Sequence, residues 1–220
     1  MTTSSRAGIW VGEHVFVATS NTVWKIDLCL DTCNSRHLRD ASLAINSDLY
    51  VTGTKGLGEV ELPYVLAGLD EFRFTLRGYP LAHKEKLLLI VVSRYIEQLA
   101  WEAGTGTLHS AFQRLSRIDD KVGTRTVYEQ LAETDVGVHA YGIPDRIPKG
   151  LSLTVHGDDS DVYRNAWFVI YRPDDLENPP TEEGGAALVA LETEPRVWDG
   201  FWTYDDDRVD EIEAYVDRTF

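Results

Sequence analysis

The sequence predicts an α/β fold, a mixed β-sheet flanked by helices, with a helical middle segment and a strand-rich C-terminal half. Three observations lead there. Apolar residues recur at spacings of three and four between residues 61 and 131, the period of amphipathic helices. Trp167–Tyr171 and Ala186–Leu191 are near-continuous apolar runs, as expected of strands covered on both faces. Asp205 precedes a last amphipathic stretch whose Asp206 and Asp207 suit the positive end of a helix.

From the N-terminus, His14–Ala18 and Thr22–Leu28 read as short strands around Ser20-Asn21, and Gly53, Gly56 and Gly58 punctuate a loop. A first helix is predicted over Glu61–Phe72 from Leu62, Val65, Leu66 and Leu69. A longer one carries Leu88, Val91, Val92, Tyr95, Leu99 and Ala103 on one face. Its other face holds Arg94, Glu97, Gln98 and Glu102, and Gly104 stops it. Thr107 is the expected cap of a third helix with Leu108, Ala111, Phe112 and Leu115 inward; a fourth buries Val127, Tyr128 and Leu131. Strands are then expected at Val136–Tyr141 and Leu151–His156, and an acidic loop at Pro173–Gly185. Val197–Tyr204 alternates, which places Trp198, Trp202 and Tyr204 on one face. Val209, Ile212 and Val216 form the inward stripe of the closing helix.

The 220 residues suffice for one sizeable core. Their net charge is −15, from 36 acidic and 21 basic residues. Repulsion of that size strains a compact fold in dilute buffer and is largely screened in about 1 M salt, so the composition points to a salt-rich cytoplasm. The charge is uneven. Residues 158–220 carry 18 acidic and 5 basic groups, whereas 73–125 carry 9 basic and 5 acidic ones. A basic middle in an acidic chain either pairs internally or faces an anion or a partner. The polar start (Met1–Gly8) and the six-residue longest apolar run (Leu87–Val92) match neither a signal peptide nor a membrane span. Cytoplasmic location is the expectation.

Several segments taken together resemble a known family. LRGYP-LAHKEKLLLI (76–90), GTLHSAFQRLSR (106–117), VYEQLA (127–132), VHAYGIPD (138–145), WFVIY (167–171), ALVALE (187–192) and WDGFWTYDDDRVDEI (198–212) are similar to the DICT sensory domain, in particular its stand-alone, salt-adapted archaeal type. The likeness runs over 49–220. Residues 1–48 match poorly, read as short strands, and are too few for a kinase or cyclase domain. That family is found attached to diguanylate cyclases, histidine kinases and other two-component proteins, and as separate chains. The resemblance implies a sensory role in signal transduction with a link to light responses. It also implies signalling partners such as histidine kinases or response regulators.

Catalytic motifs are not found: there is no GxSxG elbow, HExxH, P-loop lysine motif or Rossmann GxGxxG. His14, His37, His83, His109, His139 and His156 do not fall at metal-ligand spacing with a second ligand, and Cys29 and Cys33 cannot complete a zinc site alone. The reading is therefore a non-enzyme with no assigned metal or cofactor. Two places look built for binding. The polar side of the third helix offers Gln113, Arg114, Ser116 and Arg117. Forked donors of this kind hold a carboxylate, a phosphate or an acidic partner segment, unless they tie the basic middle to the acidic C-terminal half. Beyond the strand Val136–Tyr141, Tyr141, Gly142 and Asp145 stand where ligands sit in open α/β sheets. Trp202, with Trp198 and Tyr204, lines an aromatic pocket or packs the core. Glu192 ends a buried strand and needs a partner, for which Arg114 or Arg117 would serve. The function expected is a non-catalytic module binding a small ligand or a signalling partner. The alternative is a DNA-binding regulator using the helix–loop–helix pattern of 107–132, opposed by the long loop and the negative charge.

Overall fold

The computed structural model describes residues 7–11, 14–19, 22–27, 57–58, 71–77, 87–119, 123–175 and 184–220. Cys29, Cys33, Gly53, Gly56 and the helical stripe predicted between 61 and 70 lie outside them. In chain order the strands and helices are β1 (Ala7–Val11), β2 (His14–Thr19), β3 (Thr22–Asp27), β4 (Glu71–Arg77), α1 (Leu87–Ala103) and β5 (Thr107–Arg114). A 3₁₀ turn (Leu115–Asp119) leads to α2 (Thr124–Leu131), β6 (Gly137–Ile143), β7 (Thr154–Gly157) and α3 (Asp161–Asn165). The chain closes with β8 (Ala166–Arg172), β9 (Ala186–Glu194), β10 (Val197–Thr203) and α4 (Asp206–Thr219). Strands β1–β3 pair with one another in an antiparallel three-stranded sheet.

The main sheet has seven strands in the order β4-β10-β9-β8-β5-β6-β7. It is mixed: β5, β6 and β7 run parallel, and the other pairings are antiparallel. The α/β class is therefore as expected. The apolar runs of β8 and β9 lie at its centre because both of their faces are covered. On one face Leu108, Val169, Leu188, Trp198 and Trp202 meet Leu89, Val92, Ile96 and Leu99 of α1 and Val127 and Leu131 of α2. On the other, Ala111, Tyr141, Phe168, Ile170 and Ala187 meet Tyr163 of α3 and Val209 and Val216 of α4. Asp205 caps α4, accepting from the Arg208 amide at 3.0 Å. Trp198 and Trp202 are fully buried, so they are core and not the wall of an open aromatic pocket.

Two expectations are corrected. Thr107–Arg114 is strand β5, not a helix. Leu108, Ala111, Phe112 and Leu115 have helical spacing, but a strand buried on both faces also loses its alternation, and the apolar pattern then fits either state. Gly106 settles the start of β5. Its φ is +98°, and a Cβ there would lie 2.5 Å from the Arg172 carbonyl oxygen, so only glycine lets β5 approach β8. With 107–114 inside the sheet, the DNA-binding helix–loop–helix does not exist.

The polar side of α1 faces inward over most of its length. Arg94, Glu97 and Gln98 are buried, because α2 lies over them. Arg94 donates to Glu97 at 2.5 Å and to Thr124 Oγ1 at 2.8 Å, which satisfies charges that would be costly alone. Gln98 donates to Glu102 and accepts from the Gly58 amide. The second correction is that Glu71 and Phe72, assigned to the end of the first helix, begin β4. No helix among the described residues is long and apolar enough to cross a membrane.

Candidate functional site

Parallel strands β5 and β6 end side by side, and the polar groups gather beyond their ends. At the end of β5 the register to β6 shifts between Ala111 and Arg114. Within this bulge Gln113 takes a left-handed φ of 61°. It is buried and accepts a hydrogen bond from the Arg117 guanidinium. Asp145, just past β6, accepts from the Ser116 amide (3.0 Å), the Ser116 hydroxyl (2.7 Å) and the Arg146 amide (2.9 Å). Arg114 stands 3.8 Å from the same carboxylate. Burial pushes the Asp145 carboxyl up, but the Ser116 and Arg146 donors and the Arg114 charge outweigh it and hold it below its ordinary value. Arg114 and Arg146 keep about half or more of their side chains exposed, at 50 % and 62 %. Arg146 also pairs with Asp119, which in turn holds Arg125 at 2.7 Å. The result is a solvent-facing guanidinium cluster on a rigid base, geometry suited to a carboxylate or phosphate.

Of the residues expected at a site, the fold brings together Gln113, Arg114, Arg117 and Asp145, with Ser116 as the tie between them. It separates the others. Glu192 lies in β9 opposite Trp198 and accepts from the Arg196 amide of the β9–β10 turn at 2.7 Å, not from Arg114 or Arg117. Trp202 is core on the α1 face, with its ring 5.9 Å from that of Phe74. The partners of Arg114 and Arg117 named above, Asp145 and Gln113, belong to the middle of the chain and not to its acidic C-terminal part.

Tyr141 belongs to a second cluster that sequence reasoning did not find. His109 is level with His139 across β5–β6, and Tyr141 is level with His156 across β6–β7. His109 Nδ1 is 2.8 Å from the Tyr141 hydroxyl, and its Nε2 is 3.2 Å from Glu213 of α4. His139 Nδ1 is 3.1 Å from His156 Nε2. The Tyr141 and His156 rings stack with centroids 4.3 Å apart. Burial, then the charges of His109 and His156, lowers the pKa of His139. Burial, then His109, lowers that of His156. Burial raises Tyr141 well above the ordinary tyrosine value. Far apart in the chain, these residues give no spacing signal. Only the strand assignment of 107–114, with the two-residue step from His139 to Tyr141, could have placed them on one face. Among the described residues, no group of three or more His, Cys, Asp or Glu is arranged to hold a metal ion.

The molecule thus combines a mixed sheet covered by helices on both faces, a solvent-facing group of guanidinium side chains and a partly buried cluster of rings. The family model for DICT, the sensory domain in diguanylate cyclases and two-component systems, matches residues 64–178, more than half of the chain. The protein belongs to this family of sensory domains of signalling proteins. No curated protein and no solved structure matches it.

Proposed function

We propose that this chain is a non-catalytic input module that captures an anionic ligand, or an acidic segment of a signalling partner, at the ends of β5 and β6. One observation supports the reading: two contacting pairs, Arg114 with Asp145 and Arg117 with Gln113, lie just beyond the carboxyl ends of parallel strands, where α/β sheets place their ligands. Asp145 and Ser116 fix the floor, while Arg114 and Arg117 supply forked donors. Histidine kinases and response regulators are the partners this reading favours, in a salt-rich cytoplasm.

Calorimetric titration with inorganic pyrophosphate, and separately with an Asp/Glu peptide, tests it. One probe should bind the native chain. The Arg114→Ala/Arg117→Ala variant should then bind at least about tenfold more weakly, because hydrogen bonds to charged groups contribute ~1.5–3 kcal/mol each. Equal affinity in both proteins, or no heat with either probe, rejects the site. A light input, which the family likeness adds, should change partner recovery between irradiated and dark cells; equal recovery removes it.

A further inference from the structure

The edge of the sheet carries a second, chemically different device. Strand β7 is four residues long and forms the edge of the sheet; among the described residues it pairs only with β6. Two side-chain links reinforce that pairing: the His139 Nδ1–His156 Nε2 contact at 3.1 Å and the Tyr141–His156 stack. Two nitrogens at that separation share one hydrogen, one donating and the other accepting. The contact survives when one imidazole is charged. It cannot survive two charges, because N–H would then face N–H and two cations would stand side by side.

We propose that the His139–His156 pair is a proton-binding input site, in which a second proton on the pair releases β7 from the sheet. Every packed element contributes a charged or titratable group. These are His109 from β5, Tyr141 from β6 itself, His156 from β7, Tyr163 from α3, and Glu213 and Asp217 from α4. Arg172 of β8 reaches the pair indirectly, through Glu213 at 3.1 Å. Glu213 and Asp217 favour the charged imidazoles, whereas burial and the other histidines oppose them. The lowered pKa values of His139 and His156 agree with the geometry. With folded values below the unfolded one, the pair's contribution to stability is complete above about pH 6.5 and is lost as pH falls through the depressed folded values. Acid therefore loosens the edge strand first. As an input signal this rests on the sensory reading above, but the chemistry is independent of anion capture by Arg114 and Arg117.

Nuclear magnetic resonance of the whole chain in salt buffer tests it, following the imidazole signals and the β7 amide exchange from about pH 8 to about pH 4. His139 and His156 should titrate in two separated steps, the second below the range of an isolated histidine. Amide protection at 154–157 should fall with that second step while β8 stays protected. In His156→Gln, His139 should titrate in one step, and the acid loss of β7 protection should disappear. If His156→Gln does not fold, His139→Gln and the native titration carry the test. Independent single steps near the ordinary histidine value would overturn the proposal. So would β7 protection that is constant, that falls only with global unfolding, or that falls at the same pH in the variant. Failure of pyrophosphate or peptide binding would leave these readouts untouched.

Discussion

Tyr128 of α2 donates its hydroxyl to Glu97 of α1 at 2.9 Å, inside the protein and next to the Arg94–Glu97 ion pair. The contact joins the two helices that cover one face of the sheet, and Thr124 joins them a second time through Arg94. Buried charges depend on such partners, since each is costly to leave alone.

Removing one partner should therefore cost more than an ordinary core change. Glu97→Ala should lower unfolding free energy by ~3–5 kcal/mol, because it leaves Arg94 as an uncompensated buried charge. Tyr128→Phe should cost ~1.5–3 kcal/mol, the range for a hydrogen bond to a charged group. Urea denaturation measures both. The double variant should lose less than the sum of the two, because the residues share one network.

Alkali should unfold the chain cooperatively. Burial raises Tyr128 and Tyr141 above the ordinary tyrosine value and raises Tyr171 to about 12. A raised folded value means that these groups contribute stability fully below about pH 10, the unfolded value, and that it is lost as pH rises through the folded values. Tyrosinate absorbance and circular dichroism followed together above pH ~10 should change in one transition. Tyrosinate appearing with the fold intact would show that these rings are open to solvent.

Gly200→Ala should weaken the sheet by ~1–3 kcal/mol or more. A Cβ at Gly200 would lie 2.4 Å from the Val189 carbonyl oxygen and 2.8 Å from the Phe74 ring, in the middle of β10. Backbone cannot yield there without breaking the β9–β10 ladder. Thermal melting of the single variant checks this, and a melting temperature equal to that of the native chain contradicts it.

The parts legible in sequence were those where one physical signal dominates. Long apolar runs fixed β8 and β9, and a cap with a 3.6-residue stripe fixed α4 and the core side of α1. Thr107–Arg114 failed because a central strand carries no alternation to separate it from a helix. That error also hid His109 from His139. The burial of Arg94 and Glu97 was not legible for another reason: they stand opposite the apolar stripe of α1, and only the placement of α2 buries them. At the candidate site, chemistry was legible but adjacency was not. Arg114 and Asp145 were both expected, while the Ser116 contacts that tie β5 to β6 come from pairing.

Residues 1–48 should be dispensable for folding of the rest. Strands β1–β3 pair with each other, and none of them joins the seven-stranded sheet. A chain beginning at Leu49 should melt cooperatively and keep the β8 amides protected in hydrogen exchange. Aggregation of the shortened chain, with the full chain soluble, would place the early strands in the main core.

Stability should rise with salt. The net charge is −15, and helix α4 alone, DDRVDEIEAYVDRT, carries six acidic residues against two arginines. Part of that charge is neutralised: Arg172 pairs with Asp210 and Glu213, and Arg208 with Glu211. Asp207 and Asp217 remain exposed on the same helix, and before β8 the exposed Asp158, Asp159 and Asp161 have Arg164 among them, which pairs with Asp159 and Asp161. In about 0.1 M salt the screening length is roughly 10 Å, so these groups repel one another along the surface; in about 1 M it is roughly 3 Å and the repulsion largely vanishes. Salt also weakens exposed ion pairs, but each contributes only ~0–1 kcal/mol, so the excess of like charge decides the sign. The melting temperature followed by circular dichroism should therefore climb from dilute buffer to molar KCl and level off as screening saturates. A flat profile, or one that falls, would show that the acidic surface is already balanced by its arginines and would remove the argument for a salt-rich cytoplasm.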